Sequence, residues 1–256
     1  MRILYLGDIV GEKTIGILKK HLEEIKKEYH IQMVLCNAEN VTKGKGLSYA
    51  HYKELKSLGI AGMTMGNHTF SKSEIKEYMN DATIARPANL STTIGKDVLY
   101  IQYNQETIAL INLLGRVYLN TPLDCPFKTL EAMLPKIQAD KIIVDFHGEA
   151  TSEKKAFFYD FAGRVDAILG THTHVKTDDI EVYKNTCYIT DLGMCGPKYS
   201  VLGSDVGGII ERFKTGVYEV TKVSDDPNYI LNGVILDFGK DNKIENFKKI
   251  IPAPIL

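Results

Sequence analysis

A chain of 256 residues and 28.7 kDa can enclose one large core, and a single domain covering 1–256 is the expected organisation. Hydrophobic residues make up 44% and charged residues 25%, the balance of a folded globular protein, which excludes a disordered or fibrous chain. The formal charge of −1 supplies no overall basic field to hold a nucleic-acid backbone.

Taken in chain order, the first half alternates short apolar runs with amphipathic stretches. Arg2–Leu6 reads as a buried strand and Thr14–Tyr29 as a helix with Ile15, Leu18, Leu22 and Ile25 on one face. Met33–Cys36 is the next strand, followed by a Gly/Lys loop, a helix over Tyr49–Leu58 and a strand at Gly62–Met65. Ser71-Lys-Ser-Glu74 has the capping-box pattern and predicts a helix running to about Met79. Val98–Tyr103 and Thr107–Leu114 predict a β-hairpin. Thr129–Ile137 reads as helical, Lys141–Phe146 as a strand, Glu153–Phe161 as a helix and Ala167–Leu169 as a strand. Strands are then expected near 180–183, 187–190, 216–223, 229–237 and 243–251, with Asp191–Ser204 a loop over the site. Strand–helix alternation with a strand-rich tail predicts a layered α/β domain with two sheets.

The cysteines at 36, 125, 187 and 195 form no C-x-x-C pair, which suits reduced thiols in a cytoplasm. The apolar run at the N-terminus is too short for a signal-peptide core or a membrane span, so a soluble, cytoplasmic protein with no membrane partner is expected.

The chemistry gathers where strands end. Five predicted strands run into short Gly- or Ala-flanked segments: Gly7-Asp8, Ala38-Glu39-Asn40, Gly66-Asn67-His68, Phe146-His147-Gly148 and Gly170-Thr-His172-Thr-His174. In open α/β sheets ligands bind outside the carboxyl ends of strands, so these segments should converge. His172 and His174 lie two apart, and in extended backbone both rings face the same way. Each segment alone has a plain structural reading, as a cap, a turn or a bonded strand-end histidine; five together do not. Imidazole, carboxylate and carboxamide without thiolate suit Mn, Fe or Zn. Asp8, Glu39, Asn40, Asn67, His147, His172 and His174 exceed the four ligands of one tetrahedral ion. Glu39 could bridge two ions ~3.5–4 Å apart. Two such ions against two carboxylates would leave the site positive, attract a phosphate ester and supply a hydroxide nucleophile. His68 beside them could protonate the leaving oxygen.

These segments, in this order, resemble the calcineurin-like metallophosphoesterases and specifically their bacterial YmdB-like branch. Val10 stands where the superfamily's Asp-x-His would place histidine, and Ala38-Glu39-Asn40 replaces its second Gly-Asp; both departures are features of the branch. Gly66-Asn-His-Thr-Phe70, Arg86-Pro-Ala-Asn89, Glu149-Ala-Thr-Ser-Glu-Lys154, Gly170-Thr-His-Thr-His-Val175 and Asp191-Leu-Gly-Met-Cys-Gly-Pro197 extend the likeness end to end. Gly148 stands where alanine is usual. The resemblance implies a four-layer α/β/β/α sandwich and a di-iron or di-manganese centre. It also implies that Asp8, Glu39, Asn40 and His174 hold one metal. Glu39, Asn67, His147 and His172 would hold the other, with His68 as proton donor. Phosphodiesterase activity on 2′,3′- and 3′,5′-cyclic nucleotides, links to RNA metabolism and a homo-oligomer are further implications. No base-recognising residue is identified by it.

Two other readings share these ligands. One is a phosphomonoesterase or nucleotidase with the same centre; the other is a regulatory, RNA-linked protein with a non-catalytic metal site. A metal-free dinucleotide-binding domain fails, because no G-x-G-x-x-G follows the first strand. Gly44-Lys-Gly46 lacks the longer phosphate-loop pattern and reads as an ordinary loop. Cys195 reads as an inert thiol, and Tyr188 and Tyr199 as structural rings with base stacking the alternative.

Overall fold

A computed structural model describes residues 1–218 and 220–253. Its elements are β1 (Arg2–Val10), α1 (Lys13–Glu28), β2 (Met33–Asn40), α2 (Tyr49–Ser57), β3 (Ile60–Thr64), α3 (Ile75–Tyr78), β4 (Ile84–Ala85), β5 (Val98–Tyr103) and β6 (Glu106–Leu114). There follow α4 (Pro126–Met133), β7 (Lys141–His147), α5 (Thr151–Phe161), β8 (Ala167–Thr171), β9 (Glu181–Tyr183), β10 (Thr186–Ile189) and β11 (Met194–Pro197). The last are α6 (Val206–Thr215), β12 (Tyr229–Asp237) and β13 (Lys243–Ile251).

The strands form two sheets, in the orders β13-β12-β11-β1-β2-β3-β4 and β5-β6-β7-β8-β10-β9. Strands β11, β1, β2, β3 and β4 run parallel, as do β6, β7, β8 and β10, so each sheet offers a set of carboxyl ends on one side. Side-chain alternation then builds the layers. In β1, Leu4 and Leu6 pack outward against α1 residues Ile15, Leu18, Leu22 and Ile25. Ile3 and Tyr5 point the other way, into a core shared with Leu110, Ile143 and Leu169 of the second sheet. The second sheet sends Ile111, Val144 and Ile168 outward onto Phe157, Phe158 and Phe161 of α5 and Leu130 of α4. Period-two alternation in strands that are buried on both faces thus yields helix, sheet, sheet and helix, the expected α/β/β/α sandwich of the metallophosphoesterase type.

Several elements differ from expectation. β1 and β2 continue to Val10 and Asn40, so Asp8, Glu39 and Asn40 stand on strands rather than in loops. The Ser71 capping box does not form; turns lead into a single helical turn whose N-cap, Glu74, makes no side-chain cap bond. α4 starts at Pro126, where the missing N–H costs nothing, and gives way to a 3-10 turn at Leu134–Lys136. Within the expected loop 191–204, Met194–Pro197 pairs with β1 and β12 as a strand. The expected strand 216–223 is absent among the described residues, with one isolated bridge from Ser204 to Val223; position 219 lies outside them. Before it stands α6, capped by the Asp205 carboxylate on the Gly208 N–H and closed by Gly216 at φ 72°.

Candidate metal centre

The two sheets bring their carboxyl ends together at one edge of the shared core. Asp8 comes from β1, Glu39 and Asn40 from the end of β2, and His147 is the last residue of β7. Asn67 and His68 follow β3, and His172 and His174 follow β8. The β1–β2 register slips on both sides of Asp8, a bulge that re-aims the strand where the site begins. His172 and His174 take positive φ angles of 100° and 64°, conformations unusual for a side chain of this size and held only by surrounding contacts.

All seven expected ligands meet there. His147 Nε2 lies 3.0 Å from Glu39 Oε1, 3.0 Å from Asn67 Oδ1 and 3.1 Å from His172 Nδ1. Donor atoms of Glu39, His147 and His172 all fall within 4.8 Å of one another. His174 Nε2 stands 4.0 Å from Asp8 Oδ1, a looser second grouping.

Each imidazole has its far nitrogen engaged. His174 Nδ1 donates to the Leu202 carbonyl at 2.9 Å. His172 Nε2 meets the Glu149 carboxylate at 3.1 Å, and His147 Nδ1 meets the Thr171 hydroxyl at 2.9 Å. The nitrogens that remain, His147 Nε2, His172 Nδ1 and His174 Nε2, face inward. A hydrogen bond to the far ring nitrogen is how proteins orient metal-ligating histidines.

Two oxygens complete the pattern. Asp8 Oδ1 and Asn40 Oδ1 are buried and have no hydrogen-bond partner. Asn40 is turned by its own amide, which donates to the Gly44 carbonyl at 3.1 Å; the Gly44-Lys-Gly46 loop therefore serves to aim it. Gly66 closes the cradle: a Cβ there would fall onto both Glu39 Oε2 and His147 Nε2. Orphaned oxygens, inward-facing imidazole nitrogens and a space only glycine leaves open suit a cation.

Electrostatics agree. Burial pushes the Asp8 carboxyl up to about 6, even with His174 and His147 nearby. Burial also acts to raise Glu39, but the adjoining His147 outweighs it and holds the carboxyl low, while His147 is raised against its own burial by Glu39. Burial and the neighbouring His147 push His172 down to about 3. A carboxylate that holds a proton on a buried imidazole can hold a divalent cation in its place. The opening is a recess of about 270 Å³ lined by Glu39, Asn40, His68, Glu149, His172 and His174, among others.

Known proteins resemble this chain over nearly its whole length. The model of the YmdB-like protein family matches residues 4–250. The chain belongs to the YmdB-like family. It is 40% identical over 248 residues to a Bacillus subtilis (strain 168) protein named 2′,3′-cyclic-nucleotide 2′-phosphodiesterase, covering 95% of this chain and 93% of that one. A crystal structure described as a novel phosphatase from Mycoplasma pneumoniae superposes with a TM-score of 0.93 at 39% identity, over 99% of this chain and 95% of that one. A hypothetical protein from Thermus thermophilus gives 0.93 at 32% identity, over 98% and 100%. The enzyme class read from the sequence, a phosphoric ester hydrolase, agrees with the first two names.

Other residues of this YmdB-like chain fall away from the site. His51 bonds Thr42 at 2.8 Å. Tyr188 is fully buried and stacked on Phe158, so it cannot take a base, and the exposed Tyr199 carries Lys198 over its ring. Cys195 is buried, bonds the Asn232 carbonyl and has its thiol pushed up to about 12 by burial, an inert group. Sequence reasoning missed Leu202, Thr171 and Asp145 and gave Glu149 no role. Only Asp145 carried a signal, standing two before His147 and so on the same strand face.

Proposed function

We propose that this YmdB-like protein is a metal-dependent phosphodiesterase acting on 2′,3′- or 3′,5′-cyclic nucleotides at a dinuclear centre, within one metallophosphoesterase domain spanning 1–256. The observation that carries the reading is the convergence of donor atoms: the inward nitrogens of three imidazoles with the orphaned Asp8 Oδ1 and Asn40 Oδ1. Asp8, Glu39, Asn40 and His174 would hold one ion, and Glu39, Asn67, His147 and His172 the other, with Glu39 bridging. The donor set suits iron or manganese, and zinc accepts it too. Bound ions supply an activated water and offset the negative charge that grows on the phosphoryl oxygens.

The chain's own residues place and protonate the substrate. His68 lines the recess, and its backbone N–H donates to Glu39 Oε2 at 2.8 Å, which sets where its ring begins. Burial lowers the His68 pKa although Glu39 opposes the shift. At the edge of the recess the ring is placed to pass a proton to a departing oxygen, the role of a general acid. The name of the Bacillus subtilis relative supports a cyclic-nucleotide substrate.

The description of the Mycoplasma pneumoniae relative favours a second reading, a phosphomonoesterase with the same centre. Manganese-loaded protein given bis-p-nitrophenyl phosphate and p-nitrophenyl phosphate separates the two. A higher kcat/KM on the diester is expected; a higher value on the monoester assigns the second reading. The proposal includes a reducing cytoplasm, in line with four free cysteines, and a homo-oligomer, which sizing with light scattering checks. No helix among the described residues is long and apolar enough to cross a membrane.

A further inference from the structure

Asp145 is fully buried on the inner face of β7, two residues before His147. Its carboxylate collects one donor from each of the four other strands that deliver the site. Tyr5 of β1 donates its hydroxyl at 3.2 Å and Asn37 of β2 its amide at 3.0 Å, both to Oδ2. The Thr64 hydroxyl of β3 joins them on Oδ2. Thr171 of β8 donates to Oδ1 at 2.5 Å. These strands carry or lead into Asp8, Glu39 with Asn40, Asn67 with His68, and His172 with His174. Asn37 reaches further, accepting the Glu39 N–H at 3.1 Å and donating to the Met65 carbonyl at 2.9 Å.

A buried carboxylate costs several kcal/mol, and apolar residues often hold two sheets together as well or better. Packing alone therefore gives no reason for Asp145. The donor inventory does. A hydroxyl has one proton to give. Thr171 gives it to Asp145, so its lone pair faces His147 Nδ1 at 2.9 Å, and Nδ1 must be the donor. Nδ1 thereby carries a proton, and Nε2 is left facing Glu39 Oε1 and Asn67 Oδ1, where a cation would take the place of a proton.

We propose that Asp145 is a positioning residue of the metal centre: through Thr171 it fixes the tautomer and orientation of His147, and through Tyr5, Asn37 and Thr64 it sets the strand ends that bear the other ligands. The proposal rests on the metal-site assignment above.

The test uses the full chain with Mn(II) and Zn(II) as probes. Chelator competition measures metal affinity for wild type, Thr171→Val, Thr171→Ser and Asp145→Asn, with near-UV circular dichroism as the folding control. Thr171→Val and Asp145→Asn are expected to weaken binding about 10–100-fold, and Thr171→Ser, which restores the hydroxyl, to stay within a few-fold of wild type. Long-range 1H–15N spectra of zinc-loaded wild type should show His147 with Nδ1 protonated and Nε2 metal-bound. Should Asp145→Asn fail to fold, the Thr171 pair alone decides, because valine keeps the threonine shape. Wild-type affinity in Thr171→Val, or metal on His147 Nδ1, overturns the relay while leaving the centre in place. A wild type that binds neither ion removes the metal site, and the relay with it.

Discussion

Asp8 and Asn40 each bury an oxygen with no partner, a penalty of about 1–3 kcal/mol apiece in a folded chain. At two of the seven expected ligands that cost is one a bound cation would offset. Gly66 is its counterpart in shape. Gly66→Ala should push Glu39 and His147 out of place and fail to retain metal after reloading; elemental analysis beside a near-UV circular dichroism folding control checks this, and full metal content would contradict it. His68 is expected to behave differently. His68→Ala should keep its metal and lose about 10²–10⁴-fold in kcat, the range for removing a general acid, whereas metal loss would make it a ligand. The convergence of these side chains was legible because metal-competent residues clustered after apolar runs. Leu202 and Thr171 were not, because a backbone carbonyl or a threonine hydroxyl leaves no compositional trace of what it bonds.

At the scale of elements, long amphipathic helices and apolar strands matched their patterns, and departures came where tertiary pairing overrides local signals. Met194–Pro197 looks like a turn but completes the sheet because β1 and β12 offer free edges on either side. α6 was hidden by Gly207-Gly208, poor helix formers, although Asp205 and Gly216 cap it at both ends. The segment between β8 and β10 shows a tie of another kind. Asp179 accepts from the Thr190 N–H and hydroxyl and from Thr177, and pairs with Lys155. These contacts outweigh its burial and hold its carboxyl at about 2. A carboxyl depressed in the fold contributes stability above its unfolded value of ~3.9 and loses it as pH falls through the folded value. Asp179→Asn should therefore lower the Tm of metal-free protein by a constant amount above about pH 4, with the deficit shrinking toward pH 2. A deficit that grows on acidification would contradict the assignment. It is read by thermal melts across the acid range.

In the whole molecule, two sheets share an inner core and present their carboxyl ends to one recess, with Asp145 beneath it bonded to four strands of both sheets. The layered class was readable from strand–helix alternation and from the family resemblance. Which strands pair was not, since parallel strands are set by contacts far apart in sequence. The central claim is that converging strand ends build a dinuclear centre for phosphodiester hydrolysis, bridged by Glu39. The most direct measurement is turnover of 2′,3′-cyclic AMP by manganese-reconstituted protein beside the Glu39→Gln variant. Turnover in wild type that is lost in Glu39→Gln is the predicted result. Equal turnover in both, or none in a wild type carrying two metals, would contradict the account.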